Sequence, residues 1–392
     1  MITLKIKKLF KVFIALILAL TFVSVSEQAQ AQRIKELFGK EMPKFQDIPQ
    51  DKFEADSYLH EDMPFGDKYL AYKIRLPNDW KPPEDVSLSN YSLSSSLMGD
   101  IALFYSPPRI DAERSKFQLQ ALKLEFETTA EQWLLKYILQ NGFTLEGLEY
   151  FSEDKVGSLH VYVNEGQTYV VRSIAQINGK RMVLAQYIVP SNYWMKEAPI
   201  IDKSMKTFEI LNPEKAVIEN LVVFPFLDLA QFSYPESWAP RSTPVRSIDR
   251  IQATINNIRK GMNKTLDGQV QVDMVSAFIV DDLEKEMDHL KGNLRDKGLI
   301  IGELIESRDD LKFHEQVEFG FTDVYEGNNT QNNVLKYEVW VSVLALKNYY
   351  FFVTLITPDR EEEFFTWSRN LGAYKTVLKN VRMQERAIAS DQ

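Results

Sequence analysis

Two short stretches in different halves of the chain end in the same way: residues 76–80 read LPNDW and residues 234–238 read YPESW. Before the first of these prolines, apolar and polar residues alternate over residues 70–76. Such alternation predicts a half-buried β-strand, and proline stops it because proline has no N–H to donate to a sheet. The repeated ending predicts that one small module occurs twice.

The elements predicted after each tryptophan follow the same order in both halves. Residues 128–142 predict a helix, with Thr128 and Glu131 as its capping box and Gly142 as its left-handed cap. Residues 282–298 predict a second helix closed by Gly298. The distance from tryptophan to closing glycine is 62 residues in the first half and 60 in the second. This agreement favours a tandem duplication of an α+β module.

Strand-like runs follow each of these helices. In the first half, hairpin turns are predicted at Glu165–Gly166 and Asn178–Gly179, and the last strand ends at Pro190. In the second half the last strand ends at Pro358. A closing helix is predicted after each of these prolines, and residues 244–261 predict an extra helix in the second half.

The N-terminus predicts export. Lysines precede a short apolar run, and small residues at Ala29 and Ala31 suit a signal peptidase, so residues 1–31 are predicted to be a cleaved signal peptide. An uncleaved anchor is the alternative. The chain has no cysteine, which excludes disulfides, thiolate sites and an acylated N-terminal cysteine. We expect a periplasmic or secreted protein with no transmembrane segment after cleavage.

Length and charge limit the organisation and the partners. A chain of this length suggests two domains. We predict a lead-in over residues 32–67, two modules over 68–212 and 213–385, and a tail over 386–392. The net charge is −9, and no run of Lys and Arg is long enough to attract phosphate, so nucleic acid is not an expected partner.

The arrangement resembles the PsbP/Mog1-like fold. The resemblance rests on the strand that ends in a proline and a tryptophan, on the order of elements, and on a last helix entered just after a strand-ending proline. It covers most of residues 68–385 and implies two twisted antiparallel sheets flanked by helices. Members are mostly non-enzymatic binding, assembly or stabilising proteins. The family offers no fixed catalytic residues to carry over.

Few residues suggest chemistry. The chain has four histidines and none of the common hydrolase, nucleotide or HExxH metal motifs, so no catalytic residue and no cofactor are expected. His160 is expected to be a surface or satisfied strand residue. The sharpest metal candidates are Asp282, Glu286 and His289, which share one face of a predicted helix. A second set of ligands is not visible, so no metal is predicted.

Aromatic clusters occur at matching positions just past the two strand-ending prolines. They are Tyr193 and Trp194 in the first half and Phe364, Phe365 and Trp367 in the second. Exposed aromatic side chains often anchor protein interfaces, so these residues are weak candidates for partner binding. The alternative is that they pack the last helix on the sheet.

The sequence therefore predicts an exported, non-enzymatic binding or assembly factor for an envelope protein or complex. The alternative is a hydrolase or a small-ligand carrier with its site between the two modules. An enzyme would have converging polar groups in a pocket, whereas a binding factor would have an exposed apolar surface.

Overall fold

The computed structural model describes residues 40–83, 93–110, 113–242, 247–259, 265–329 and 335–384. These residues divide into two compact units, Gly39–Asn220 and Leu221–Gln392. The predicted signal peptide and tail lie outside the described residues. Along the chain, the boundary between the two units lies between residues 220 and 221, whereas the sequence predicted a module boundary between residues 212 and 213.

The described residues of the first unit form three α-helices, two short 3-10 helices and nine strands. The α-helices are α1 (Gln50–Ala55), α2 (Ala130–Gln140) and α3 (Ser191–Met205). The strands are β1 (Ser57–Asp62), β2 (Tyr72–Pro77), β3 (Gly99–Tyr105), β4 (Lys116–Lys123), β5 (Thr144–Ser152), β6 (Lys155–Asn164), β7 (Gln167–Asn178), β8 (Arg181–Pro190) and β9 (Glu209–Ile210). They form a three-stranded sheet, β1-β2-β9, and a six-stranded sheet, β3-β4-β8-β7-β6-β5.

The described residues of the second unit form two α-helices, one short 3-10 helix and ten strands. The α-helices are α4 (Leu283–Asp296) and α5 (Phe364–Asn380). The strands are β10 (Leu221–Phe226), β11 (Ala230–Pro235), β12 (Ala239–Ser242), β13 (Arg250–Arg259), β14 (Thr265–Ser276), β15 (Leu299–Arg308), β16 (Phe319–Asn329), β17 (Lys336–Leu346), β18 (Tyr349–Pro358) and β19 (Arg382–Met383). They form a three-stranded sheet, β10-β11-β19, and a seven-stranded sheet, β12-β13-β14-β18-β17-β16-β15.

The two units share one topology. In each, a strand ends in the proline and tryptophan motif, a helix precedes the edge strand of the large sheet, and the last helix follows the proline that ends β8 or β18. All strand pairings within the four sheets of the described residues are antiparallel. The chain is thus an α+β protein of two tandem modules, as the sequence predicted.

The repeated motif forms the same local turn twice. The N–H of Trp80 donates to the carbonyl of Pro77 at 3.0 Å, and the N–H of Trp238 donates to that of Pro235 at 3.0 Å. Both tryptophans are buried, and Trp80 packs edge-on against Tyr187 of β8. The proline ends the strand, and the indole anchors the chain on the core, so the motif fixes the end of β2 in the first unit and of β11 in the second.

Three sequence predictions were wrong in detail. The capping box of α2 is formed by Thr129 and Gln132, whose side chain and backbone groups bond reciprocally, and not by Thr128 and Glu131. Part of the predicted lead-in is ordered: α1 and β1 lie there, and β1 pairs with β2. The extra helix is a strand: described residues of 244–261 form β13, which pairs with β14.

Candidate functional site

Two clefts lie in the described part of the first unit. The larger, of about 650 Å³, lies beneath residues 40–48, which we call the strap. The strap runs over the outer side of β5. Met42 donates its N–H to the carbonyl of Leu148 at 2.9 Å, and Leu148 donates its N–H to the carbonyl of Lys40 at 2.7 Å. The strap thus adds a short parallel pairing to an edge strand of the large sheet.

The strap approaches β5 closely at one glycine. A Cβ atom at Gly147 would lie 2.7 Å from Cδ of Pro43 and 2.8 Å from the carbonyl oxygen of Glu41. Phe45 packs edge-on against Trp194 of α3 with ring centroids 5.8 Å apart. Glycine at this position is therefore what lets the strap lie against the sheet.

Behind this cleft lies an ion-pair network centred on Arg172, which is fully buried. Its Nε donates to Oδ1 of Asp202 at 2.9 Å, and one of its terminal amino groups donates to Glu149. Lys206 pairs with the other oxygen of Asp202 at 2.8 Å. Lys203, which also lines the cleft, bonds to the carbonyl of Ile48 in the strap. These charged groups hold one another, so the network stabilises the unit and fixes the strap.

The smaller cleft, which we call the edge cleft, has a volume of about 370 Å³. It lies between β1 and β3, which are edge strands of the two sheets of this unit. It is lined by Tyr58, His60, Asp62, Pro82, Pro83 and residues 101–104 of β3. Mainly apolar walls with a few polar groups are typical of a binding site.

His60 is the most unusual residue of the edge cleft. Its ring lies 4.8 Å from that of Phe104 and 5.7 Å from that of Tyr72. Its Nε2 and the hydroxyl of Tyr72 are buried and have no hydrogen-bond partner among the described residues. Burial lowers the pKa of His60 despite the nearby carboxylate of Asp62. Burial thus disfavours the protonated imidazole, and its Nε2 is a buried nitrogen that the described residues leave without a hydrogen bond.

The predicted metal candidates on α4 have other roles. Asp282 caps the helix by accepting the N–H of Glu284 at 2.9 Å, and Glu286 pairs with Arg250 at 2.5 Å. His289 is exposed on the same helix. No group of three or more His, Cys, Asp or Glu side chains in the described part of the chain is placed to hold a metal ion.

The aromatic cluster of the first unit is partly buried. Trp194 packs on the core of the unit and touches the strap through Phe45. Tyr193 carries the guanidinium of Arg109 over its ring, with the cation 3.9 Å from the centroid. This cluster secures α3 and the strap against the sheets.

The matching cluster of the second unit lies deeper. Phe364 and Trp367 are buried, and Phe365 is half-buried. The indole N–H of Trp367 and that of Trp340 both donate to one carboxylate oxygen of Glu338 at 2.9 Å. Phe364 and Trp367 thus pack α5 on the sheet, which is the alternative that the sequence analysis left open, and they offer no surface to a partner.

His160 is buried, contrary to the surface position that sequence reasoning allowed. Its ring stacks on that of Phe143 with centroids 5.4 Å apart, and Nδ1 lies 3.0 Å from the hydroxyl of Ser158. Sequence reasoning did not single out His60, Arg172 or the two prolines of the edge cleft. The double proline at residues 82–83 was the visible signal, because prolines restrict strand pairing.

Within the described ranges no helix is long and apolar enough to cross a membrane. No protein-family model matches the chain, and no curated protein matches it significantly.

Several solved structures resemble the chain. The Ran-binding protein Mog1p of Saccharomyces cerevisiae is 13% identical, covers 43% of this chain and 98% of its own, and has a TM-score of 0.31. The cyanobacterial PsbP protein of Synechocystis is 12% identical, with the same coverage and a TM-score of 0.25. The type VI secretion immunity protein TplEi of Pseudomonas aeruginosa is 11% identical, covers 80% of this chain and 94% of its own, and has a TM-score of 0.21. At these identities and TM-scores, the likenesses carry no argument about the activity or the partner of this chain.

Proposed function

We propose that the chain is an exported, non-enzymatic protein-binding factor, a PsbP/Mog1-like protein whose partner is an envelope protein or complex. One observation carries the proposal: an edge strand of the first unit already binds an extended chain segment. The two main-chain hydrogen bonds of Leu148 to the strap are those that a peptide makes when it adds to a sheet edge. A strand supplied by another protein would make the same kind of main-chain hydrogen bonds to a sheet edge.

The chemistry of the described clefts supports binding over catalysis. Most of the charged side chains that line the strap cleft are in ion pairs, as in the contacts of Arg172 and Lys206 with Asp202. The edge cleft has one histidine, and burial lowers its pKa. Burial disfavours the protonated form of this histidine, and the other lining residues are mainly apolar, which favours recognition of a bound segment.

A crosslinking experiment tests this proposal. The tagged full chain is expressed in its own cells, the envelope fraction is mildly crosslinked, and the purified products are identified by mass spectrometry. We expect one reproducible protein partner, absent from a parallel preparation of an unrelated tagged exported protein. We also expect the mature N-terminus to be Gln32, as signal cleavage after Ala31 requires. An uncrosslinked monomer in every preparation would contradict the binding function.

A further inference from the structure

In the second unit, the strand β12 fills the outer edge of the large sheet, next to β13. Directly after Trp238, β12 pairs antiparallel with β13, and Arg241 lies opposite Thr254. In the first unit, Lys81 follows Trp80 and begins the same pairing with Tyr105 of β3. The N–H of Lys81 donates to the carbonyl of Tyr105 at 3.0 Å, and the reverse bond is 2.8 Å long. Lys81 therefore occupies the place that Ala239 has in the second unit.

The pairing in the first unit stops because of two prolines. Pro82 corresponds to Pro240, which the second unit tolerates within β12. Pro83 corresponds to Arg241. Hydrogen-bonded pairs alternate along an antiparallel ladder, so the residue two places after a bonded pair must donate its N–H to the neighbouring strand. Proline has no such N–H, so Pro83 cannot repeat the bond that position 241 makes.

As a result, no described residue pairs with the main-chain edge of β3 at Leu103. Leu103 lies two residues before Tyr105, whose N–H and carbonyl face outward to Lys81. No shift of register separates these two residues, so the N–H and carbonyl of Leu103 also face outward. Among the described residues, the only bridge on this side of β3 is that of Lys81. The edge cleft is the space beside Leu103.

The lining of the edge cleft indicates what it would accept. Among the described residues that line it, Asp62 is the only formally charged side chain at neutral pH, and none is Lys or Arg. The buried Nε2 of His60 has no partner among the described residues. The remaining walls are prolines, a tyrosine and apolar residues of β3. An extended segment with a basic side chain beside small or apolar ones matches this lining in shape and charge.

We infer that the edge cleft binds an extended segment of a partner protein, which pairs antiparallel with β3 at Leu103 and directs a basic side chain towards Asp62. The inference rests on the proposed protein-binding function and names the surface and the chemistry of the partner. The position of β12 on β13 supplies the template for the bound segment.

The experiment uses the full chain and a labelled synthetic peptide of residues 236–243, which contains the sequence of β12. Binding is followed by fluorescence anisotropy, and the site is identified by hydrogen exchange at the Leu103 amide. We expect weak binding that slows exchange at Leu103. A peptide with Arg241→Glu, or a chain with Asp62→Asn, should bind several-fold more weakly, because each removes the opposite charge.

Two proline variants test the mechanism. Pro83→Arg restores the missing N–H, so the chain should fill its own edge, protect the Leu103 amide without peptide, and weaken peptide binding by about 10-fold. Pro82→Ala is the matched control, because its counterpart Pro240 sits within β12, and it should bind as the wild-type chain does. A thermal melt of each variant confirms that it is folded.

Each outcome decides the inference. The inference would be overturned if neither Pro83→Arg nor Asp62→Asn weakened peptide binding. It would also be overturned if saturating peptide did not slow hydrogen exchange at the Leu103 amide. If the crosslinked envelope partner binds the Pro83→Arg chain as well as the wild type, the edge cleft is not its site, while the protein-binding function stands. If the peptide behaves as expected but no envelope partner is found, the cleft stands and the proposed function fails.

Discussion

His160 is a buried histidine whose Nε2 has no hydrogen-bond partner among the described residues. Burial lowers its pKa to about 3, from an ordinary value of 6.5, because a charged imidazole would lose its hydration inside the sheet. The unfolded chain therefore binds a proton below pH 6.5 that the folded chain does not bind. Folding stability linked to His160 is complete above pH 6.5 and is lost as the pH falls from 6.5 towards 3.

This linkage predicts the effect of His160→Phe, which keeps a ring to stack on Phe143. Between pH 6.5 and 5 the free energy of unfolding of the wild type should fall by about 2 kcal/mol more than that of the variant. Urea unfolding at the two pH values measures the difference. His289→Gln, at an exposed position, is the control and should leave the slope unchanged. Equal slopes for wild type and His160→Phe would show that His160 takes up its proton in the folded state.

Arg172 should matter far more to stability than the lysine that shares its partner. Arg172→Met leaves the carboxylate of Asp202 buried without its main counter-ion, and we expect a loss of about 3–5 kcal/mol in unfolding free energy. Lys206→Met removes a half-exposed partner of the same carboxylate and should cost at most about 1 kcal/mol. Chemical denaturation of both variants measures this. Similar losses for the two would mean that Asp202 does not depend on Arg172.

Such contacts could not be predicted from the sequence. Arg172 meets Glu149 and Asp202, which are 23 and 30 residues away along the chain. No local pattern joins these residues, and only the pairing of β5 with β6 and of β6 with β7, together with the position of α3, brings them together. The aromatic residues near Pro190 and Pro358 were visible in sequence, but whether they face solvent or the core depends on how the last helix is rotated.

At the scale of elements, the strap is held where Gly147 leaves room for it. Gly147→Ala would place a Cβ within 2.8 Å of the backbone of Glu41 and Met42, which cannot move without breaking the pairing with Leu148. We expect the strap to open more easily by about 1 kcal/mol and trypsin to cleave after Lys44 about fivefold faster.

Limited proteolysis with mass spectrometry measures this, and Gly292→Ala is its control. Nothing lies within 4 Å of a Cβ at Gly292, which is in the interior of α4. Alanine there should stabilise the chain by up to about 1 kcal/mol through helix propensity and leave cleavage at Lys44 unchanged. An unchanged cleavage rate in Gly147→Ala would show that the strap does not need the glycine.

Most elements could be predicted because their signals are local. Alternation and turn residues predicted β6 and β7, whose Glu165–Gly166 turn takes the positive φ angles expected. The failure at β13 has a physical cause: Ile251, Ile255 and Ile258 repeat at helical spacing, yet Ala253 completes an alternation with Ile251 and Ile255 that buries one face of a strand. The edge cleft could not be predicted from the sequence. The effect of Pro83 becomes clear only when its position is compared with that of Arg241 in the pairing of β12 with β13.

At the scale of the whole molecule, the duplication is clearer in topology than in sequence. The two large sheets have the same strand order. The strands β4-β8-β7-β6-β5 of the first unit take the places of β14-β18-β17-β16-β15 in the second. Individual positions diverge at the edges, where β5 carries the strap and β3 has only the bridge of Lys81 among the described residues in the place of β12. Copies of one module that keep their core and change their edges can acquire different partners.

Each strand pairing of the described residues joins two strands of the same unit. We therefore expect the two units to fold separately. Each also has buried aromatic side chains of its own, such as Tyr72 and Tyr187 in the first and Trp340 and Tyr374 in the second. Domains of about 150 residues bury enough surface to be stable alone. Fragments 39–220 and 221–392 should each show a β-rich circular dichroism spectrum and a cooperative melt. A fragment that stays unfolded alone but folds when mixed with the other would show that the units depend on each other.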